Sequence, residues 1–199
     1  MTLSTSAPIL AVMTPTREAL IAAAADLLDR GGPEAVTLRE VGRAAGVSHN
    51  APYKHFADKS ELLAAIAARE LSRQSEIIAA RDGPVLSARD LMHGYVRRAL
   101  RYPERFKLTF RRWERDAAGL GEAASQAHGL LVAAVTCAQA AGELPSGDPE
   151  RMSSLVRGLA HGAADLALSG HLKSGGKGNA DPDTLVDDLF DYLRLAAAK

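Results

Sequence analysis

The amino-acid sequence predicts an all-α protein of about nine helices, and three observations carry that prediction. Alanine-rich runs such as residues 22–25 favour helices, and aromatic residues, which favour strands, are only 5% of the 199 residues. No segment alternates apolar and polar residues as a half-buried strand does. Helix-start patterns, in which an acid or a proline follows a capping side chain, recur at Thr37, Asp148 and Asp181.

The first helix is predicted to begin at Pro15, capped by Thr14, and to end at the glycine pair 31–32. Its apolar side chains recur on one helical face: Leu20, Ala24, Leu27 and Leu28. Residues 1–13 lie ahead of it and are expected to form a flexible arm, because they lack the length and the basic start of a signal peptide.

Two short helices joined by a tight turn are predicted in residues 37–55. Thr37 and Glu40 have the spacing of a capping box, so the first of the two helices begins there. Gly46 supplies the left-handed residue that ends it, and Ser48 is placed to cap the second. The pattern is that of a helix-turn-helix, whose second helix enters the major groove of DNA.

Six further helices are predicted after this unit. They run from Asp58 to a break at 81–84, from Ser87 to about Arg101, from Pro103 to about Ala117, from a turn at 119–121 to about Gly142, from Pro149 to about Ser169, and from Pro182 to about Ala197. A flexible glycine-rich loop is expected at 170–180.

The segment 53–59, with the sequence YKHFADK, is the most specific motif in the chain. It resembles the signature of the tetracycline-repressor (TetR) family of bacterial transcription regulators, and the close resemblance covers about residues 15–65. The resemblance implies a helix-turn-helix domain at 14–60 and an effector-binding and dimerisation domain at 61–199. It also implies a homodimer on a pseudo-palindromic double-stranded operator, because one unit reads only a half-site.

The exposed half of the second helix is expected to contact DNA. His49, Asn50 and Lys54 can form hydrogen bonds with purine edges. Pro52 lies near the fourth position of this helix, where a local distortion is expected because proline donates no backbone hydrogen bond. Phosphate contacts are expected on either side, and Arg39 is a candidate for a base edge or a phosphate. The predicted DNA-binding residues are Thr37, Arg39, Ser48, His49, Asn50, Tyr53, Lys54, His55 and Lys59.

The last two predicted helices carry apolar stripes suited to a dimer interface. Gly158 and Gly162, four residues apart, would let two helices approach closely. The predicted interface residues are Leu155, Leu159, Gly162, Leu166, Leu185, Leu189, Phe190 and Leu193. The alternative is that these stripes pack inside one chain, since an apolar stripe alone does not identify its partner.

The C-terminal half also resembles the TetR type named for a Trp-His-Gly motif. His161 and Gly162 match, and Arg157 lies about where the tryptophan is expected. Candidate residues for an effector pocket are Met92, Tyr95, Phe106, Phe110, Trp113 and His161, with ordinary helical core as the alternative. His161 and Asp165 are one turn apart, but two ligands without a third do not predict a metal site.

The formal net charge is zero, yet residues 97–115 contain eight arginines or lysines against Glu104 and Glu114. One interpretation is a solvated face balanced by the acidic residues of 181–191. The other is a site for an anionic effector such as a carboxylate or an acyl thioester.

The resemblance implies a repressor that an unidentified small molecule releases from DNA, since repression is the commoner outcome in the family. A ligand-dependent activator would use the same DNA contacts. An enzyme is not expected, since no nucleophile elbow, phosphate loop or metal set is present, and no cofactor is predicted. A simple DNA-coating protein would not need so long a C-terminal half. The single cysteine, Cys137, and the lack of a long apolar run favour the cytoplasm and no membrane contact.

Overall fold

The computed structural model describes residues 17–79, 86–113, 119–172, 175 and 180–198. Within these ranges it contains eight α-helices and no strand. The helices are α1 (Arg17–Gly31), α2 (Leu38–Ala44), α3 (Lys59–Ala79), α4 (Ala88–Arg101), α5 (Pro103–Thr109), α6 (Leu120–Ala140), α7 (Pro149–Leu168) and α8 (Pro182–Ala197). The all-α prediction is confirmed. The expected arm at 1–13, the Thr14 cap and the break at 81–84 lie outside the described residues.

Local signals in the sequence set most of the helix starts. The Oγ1 of Thr37 accepts a hydrogen bond from the backbone N–H of Glu40 at 3.1 Å, as the capping-box spacing predicts. At the start of α3, Asp58 accepts from the N–H of Glu61, and the carboxylate of Glu61 accepts from the N–H of Ala57, one residue before Asp58. Asp148 and Asp181 cap α7 and α8 as predicted, with a proline at the first helical position of each.

The structure changes two predicted boundaries. Helix α5 ends at Thr109 rather than near Ala117, and the chain turns through Phe110 and Arg111. The turn predicted at 119–121 lies at its first glycine, because Gly119 is the N-cap of α6, with φ at +86°. Gly121 is already inside that helix, since the left-handed residue comes two positions earlier.

The helices bury two apolar cores. The first lies between α1, α2 and the N-terminal half of α3, around Leu20, Val41, Phe56 and Ile66, with Leu108 of α5 added from the second half of the chain. The second core lies between α4, α6, α7 and α8. Helix α3 is shared, because its later turns pack against α5 and α6. No described helix is long and apolar enough to cross a membrane.

A buried ionic network joins the two parts of the fold. Arg105 of α5 forms a bidentate pair with Asp29 of α1, at 2.9 and 2.6 Å, and reaches Glu70 of α3 at 2.9 Å. Arg98 of α4 donates to the other oxygen of Glu70. The guanidinium groups of Arg98 and Arg105 also stack on the ring of Tyr102, and each lies 4.8 Å from the centre of that ring. Burial and the nearby charge of Arg105 lower the pKa of Arg98.

Part of the basic stretch 97–115 is a solvated face, and part belongs to this network. The exposed members are Arg97, Arg101, Lys107, Arg111 and Arg112. Arg105 is only 9% exposed and its partner Glu70 only 4%, so these charges serve the packing of α1, α3, α4 and α5. The acidic residues of α8 do not balance that stretch. They pair with an earlier part of α4: Arg89 contacts Asp187 at 3.2 Å and Asp191 at 2.6 Å.

His93 of α4 forms a second contact with α8. Its Nδ1 lies 2.6 Å from Asp183 and its Nε2 lies 2.9 Å from Asp187, so the doubly protonated ring satisfies both carboxylates. Partial burial opposes the charged form, but the hydrogen bonds to the two aspartates outweigh it, and the pKa of His93 is raised.

We predict that Arg105→Met lowers the free energy of unfolding by about 3 kcal/mol, because it leaves the buried Glu70 short of one cation and removes both bonds to Asp29. Urea denaturation followed by circular dichroism measures the change. The matched control is Arg97→Met on the exposed face of α4, which should stay within about 0.5 kcal/mol of the parent. Equal effects of the two variants would show that the network does not stabilise the fold.

We predict that His93 stabilises the fold most at acid pH. A group whose pKa is raised by folding contributes its full stability below its unfolded pKa, and that contribution disappears as pH rises through the folded pKa. The stability difference between the parent and His93→Gln should therefore be greatest below about pH 6.5 and should shrink at higher pH. Thermal melts across that range, with exposed His171→Gln as control, test this. A difference that grows with pH would contradict it.

Candidate nucleic-acid interface and effector cavity

The helix-turn-helix unit begins with α2 and a tight turn. Gly46 has φ at +72°, as predicted for the residue that ends this helix, and the N–H of Val47 donates to the carbonyl of Gly42 at 2.9 Å. The segment that contains Pro52 packs against α2 at Gly42. A Cβ at position 42 would lie only 3.1 Å from the ring of Pro52. The two segments of the motif are thus held in direct contact.

The second helix of the motif is not a regular α-helix, and here the prediction is wrong. Residues 49–51 form turns and only Pro52–Lys54 is helical, as one turn of 3-10 helix. Its bonds span three residues: the N–H of Ala51 donates to Ser48 at 3.0 Å and that of Lys54 to Ala51 at 3.2 Å. Pro52 has no N–H for the bond to Ser48 that an α-helix requires, which is a larger effect than the local distortion expected.

The predicted DNA-binding side chains nevertheless lie on the outside of this unit. Tyr53 is 56% exposed, and buried Phe56 anchors the segment from below. Lys59 is partly exposed at the start of α3, with its Nζ 3.9 Å from the exposed Glu34. Arg43 bonds to Glu40, so its charge is already paired. The other exposed candidates are Thr37, Arg39, Ser48, His49, Asn50, Lys54 and His55.

A cavity of about 160 Å³ lies between α3, α4, α6 and α7. Three of the predicted pocket residues, Met92, Tyr95 and Phe110, line it. Phe106 lines a smaller adjoining cavity of about 40 Å³, which also touches Glu70, Arg98 and Arg105 of the ionic network. Trp113 lies elsewhere, because it packs against the first core beneath the guanidinium of Arg111.

Tyr95 and Phe110 of the cavity wall belong to an aromatic cluster, whose other members, Phe106 and His161, lie outside the lining of the larger cavity. The hydroxyl of Tyr95 lies 2.9 Å from Nδ1 of His161, and the ring centres of His161 and Phe110 are 4.5 Å apart. Phe106 packs edge-on to Tyr95 with 5.4 Å between the ring centres. Burial raises the pKa of Tyr95, and the positive charge of Arg157 opposes that rise. His161 therefore has a hydrogen-bonding role, and the described residues include no group of three metal-ligating side chains.

Two polar residues that were not predicted for the site also line the cavity, Arg157 of α7 and His128 of α6. His128 contacts Glu150 through Nε2 at 2.6 Å, and its Nδ1 is buried with no partner among the described residues. The sequence contains one sign that Arg157 is unusual, because it lies about where the tryptophan of the Trp-His-Gly motif is expected. No signal marked His128.

The predicted dimer residues differ in how far they are exposed. Phe190 is 5% exposed and belongs to the second core, and Leu189 and Leu193 pack against that core from one side. Leu155 and Leu166 of α7 are on the outside, at 54% and 44% exposure. The outer face of α8 instead presents Tyr192 and Leu195, which the sequence pattern did not single out. Leu159, Gly162 and Leu185 are half-buried.

Comparison with protein families gives two matches in separate parts of the chain. The family described as "Bacterial regulatory proteins, tetR family" matches residues 20–66, and the one described as "Tetracyclin repressor-like, C-terminal domain" matches residues 88–193. Both describe regulators rather than enzymes. No curated protein matches the sequence.

Solved structures have the same fold. A Rhodococcus sp. RHA1 protein of unknown function is 29% identical over 96% of this chain and all of its own, with a TM-score of 0.74. A TetR transcriptional regulator from the same organism is 19% identical over 88% of this chain and 93% of its own, with a TM-score of 0.62. RolR in complex with resorcinol is 17% identical over 92% of this chain and 93% of its own, with a TM-score of 0.59.

Proposed function

Because the chain belongs to the TetR family of bacterial regulatory proteins and is a DNA-binding transcriptional regulator, we propose that it is a homodimeric repressor. A small molecule bound in the cavity releases it from its operator. The observation that carries the proposal is the exposed row of polar side chains on the helix-turn-helix, held on a core by buried Phe56. Because a protein that binds bacterial DNA acts where that DNA is, we infer a cytoplasmic location.

The outer face of α7 and α8 is the surface that we assign to the dimer. Leu155 and Leu166 are exposed on α7, and Tyr192 and Leu195 are exposed on α8, so the face is apolar without a partner in one chain. Gly162 has no atom within 4 Å of the place a Cβ would occupy, which leaves room for a second helix. A symmetric pair formed on this face would present two DNA-binding units to two half-sites.

Helix α3 provides the connection between effector and DNA. Lys59 opens it at the DNA-binding face, and Leu71 and Ser75 of the same helix line the cavity. Twelve residues of α-helix span about 18 Å, so a shift of α3 at the cavity moves the DNA-binding unit as well. A ligand that prefers the shifted position weakens operator binding, typically by ~1–3 kcal/mol of coupling. RolR, with a similar fold, was solved with the small aromatic molecule resorcinol, which supports an effector site of this kind.

We predict that Lys59→Ala weakens binding to operator and random DNA alike and lowers the slope of log affinity against log salt by about one, because one phosphate contact is lost. Fluorescence anisotropy at several salt concentrations measures both quantities. Arg151→Ala on α7 removes an equal charge away from the helix-turn-helix and should change neither. An unchanged slope in the Lys59 variant would remove this residue from the interface.

We predict that Asn50→Ala reduces the preference for the operator over random DNA by about 1–3 kcal/mol, because the side-chain amide reads a base edge. The operator is first obtained by selecting fragments from a random DNA pool, and competition with random duplex measures the preference. Lys59→Ala serves as the comparison, since a phosphate contact affects both DNAs. If Asn50→Ala weakened both equally, Asn50 would contact the backbone instead.

A further inference from the structure

Among the described residues, the lining of the cavity between α3, α4, α6 and α7 includes one arginine or lysine, Arg157. The buried arginines nearby are neutralised within the chain, because Arg98 pairs with Glu70, and Arg105 pairs with Glu70 and Asp29. Arg157 is half-buried and takes part in none of the ion pairs or side-chain hydrogen bonds among the described residues. A half-buried guanidinium beside an apolar cavity, with no carboxylate partner among the described residues, is suited to bind an anionic ligand.

Arg157 lies in the cavity wall close enough to Tyr95 for its charge to act on that residue. It precedes His161 by four residues on α7, so the two side chains lie on the same helical face. His161 holds the hydroxyl of Tyr95, and the charge of Arg157 acts on the same hydroxyl. Arg157 and Tyr95 both line the cavity, whereas His161 lies behind Tyr95 and bonds to its hydroxyl. The guanidinium of Arg157 is therefore the group that an anion in the cavity meets.

The remaining wall sets the size and character of the molecule. Leu71, Leu91, Met92, Phe110 and Leu131 surround the space with apolar atoms. The cavity of about 160 Å³ is close to the size known to hold one benzene ring in an engineered protein core, ~150 Å³. This volume matches one six-membered ring more closely than a long acyl chain or a fused ring system.

We propose that the effector is a carboxylic acid built on a single ring, whose carboxylate binds Arg157 and whose ring packs against Met92, Phe110 and Leu131. The inference rests on the proposed function, because it names the chemical class of ligand for the same cavity. His128 offers one further contact. Its Nε2 binds Glu150, so the buried Nδ1 is left to accept a hydrogen bond from a hydroxyl group on the ring.

Calorimetric titration of the full-length protein tests the ligand class. Benzoate, phenylacetate, cyclohexanecarboxylate and the three hydroxybenzoates are each compared with the corresponding neutral amide. At least one carboxylate should bind about 10- to 100-fold more tightly than its amide, because a hydrogen bond to a charged group is worth that factor. If every amide bound as tightly as its acid, or if none of the acids bound, the proposal would be overturned.

Two variants assign the preference to Arg157. Arg157→Gln should abolish the difference between acid and amide, and Arg157→Lys should retain part of it. Arg151→Gln on the same helix lies outside this cavity and should leave the preference unchanged. A preference that survives Arg157→Gln would mean that another cation binds the acid, which also overturns the proposal. The comparison of acid with amide on the parent protein stands even if a variant fails to fold.

Operator binding separates this inference from the proposed function. The tightest-binding acid should lower the affinity of the parent for its selected operator and should have no such effect on Arg157→Gln. If the parent binds operator but none of the acids binds the protein, the ligand class is wrong and the regulatory function stands. If an acid binds through Arg157 but no operator can be selected, the proposed repressor function fails while the anion site remains.

Discussion

The pairing of Arg105 with Glu70 and Asp29 is the interaction on which the arrangement of the two halves depends. Arg105 and Glu70 are nearly excluded from water, and a buried charge without its partner is costly. In this conformation the network holds α1 and α3 of the DNA-binding half against α4 and α5. The smaller cavity touches this network and shares Tyr95 and Phe110 with the larger one, so a molecule that displaces those rings acts next to the network.

Helix starts could be predicted from the sequence because their causes are local. Thr37 and Asp58 accept bonds from residues three positions later, and those spacings are visible in the chain itself. The ionic network could not be predicted in this way, because its bonded residues are 28 to 76 positions apart and only the fold brings them together. The basic stretch 97–115 is a solvated face only in part, and composition does not show which of its cations are buried.

In the candidate sites, too, features with a local cause could be predicted and features that depend on the fold could not. The row of exposed side chains that are predicted to contact DNA followed from a motif with fixed spacing, although Pro52 turns its helix into a short 3-10 segment. Helical periodicity grouped Phe190 with the dimer residues, yet this ring fills the core of its own chain, because a stripe does not specify its partner. Arg157 and His128 come from separate helices and meet only at the cavity, so no sequence spacing could reveal them as neighbours.

The central claim is that the helix-turn-helix reads DNA sequence as one half of a dimer. It is tested most directly by incubating the purified full-length protein with sheared genomic DNA of its source organism and sequencing the retained fragments. We predict a small enriched set that shares an inverted repeat, with half-site centres about one helical turn, ~34–36 Å, or a multiple apart. Fragments retained without enrichment, or a shared motif with no inverted repeat, would contradict the claim.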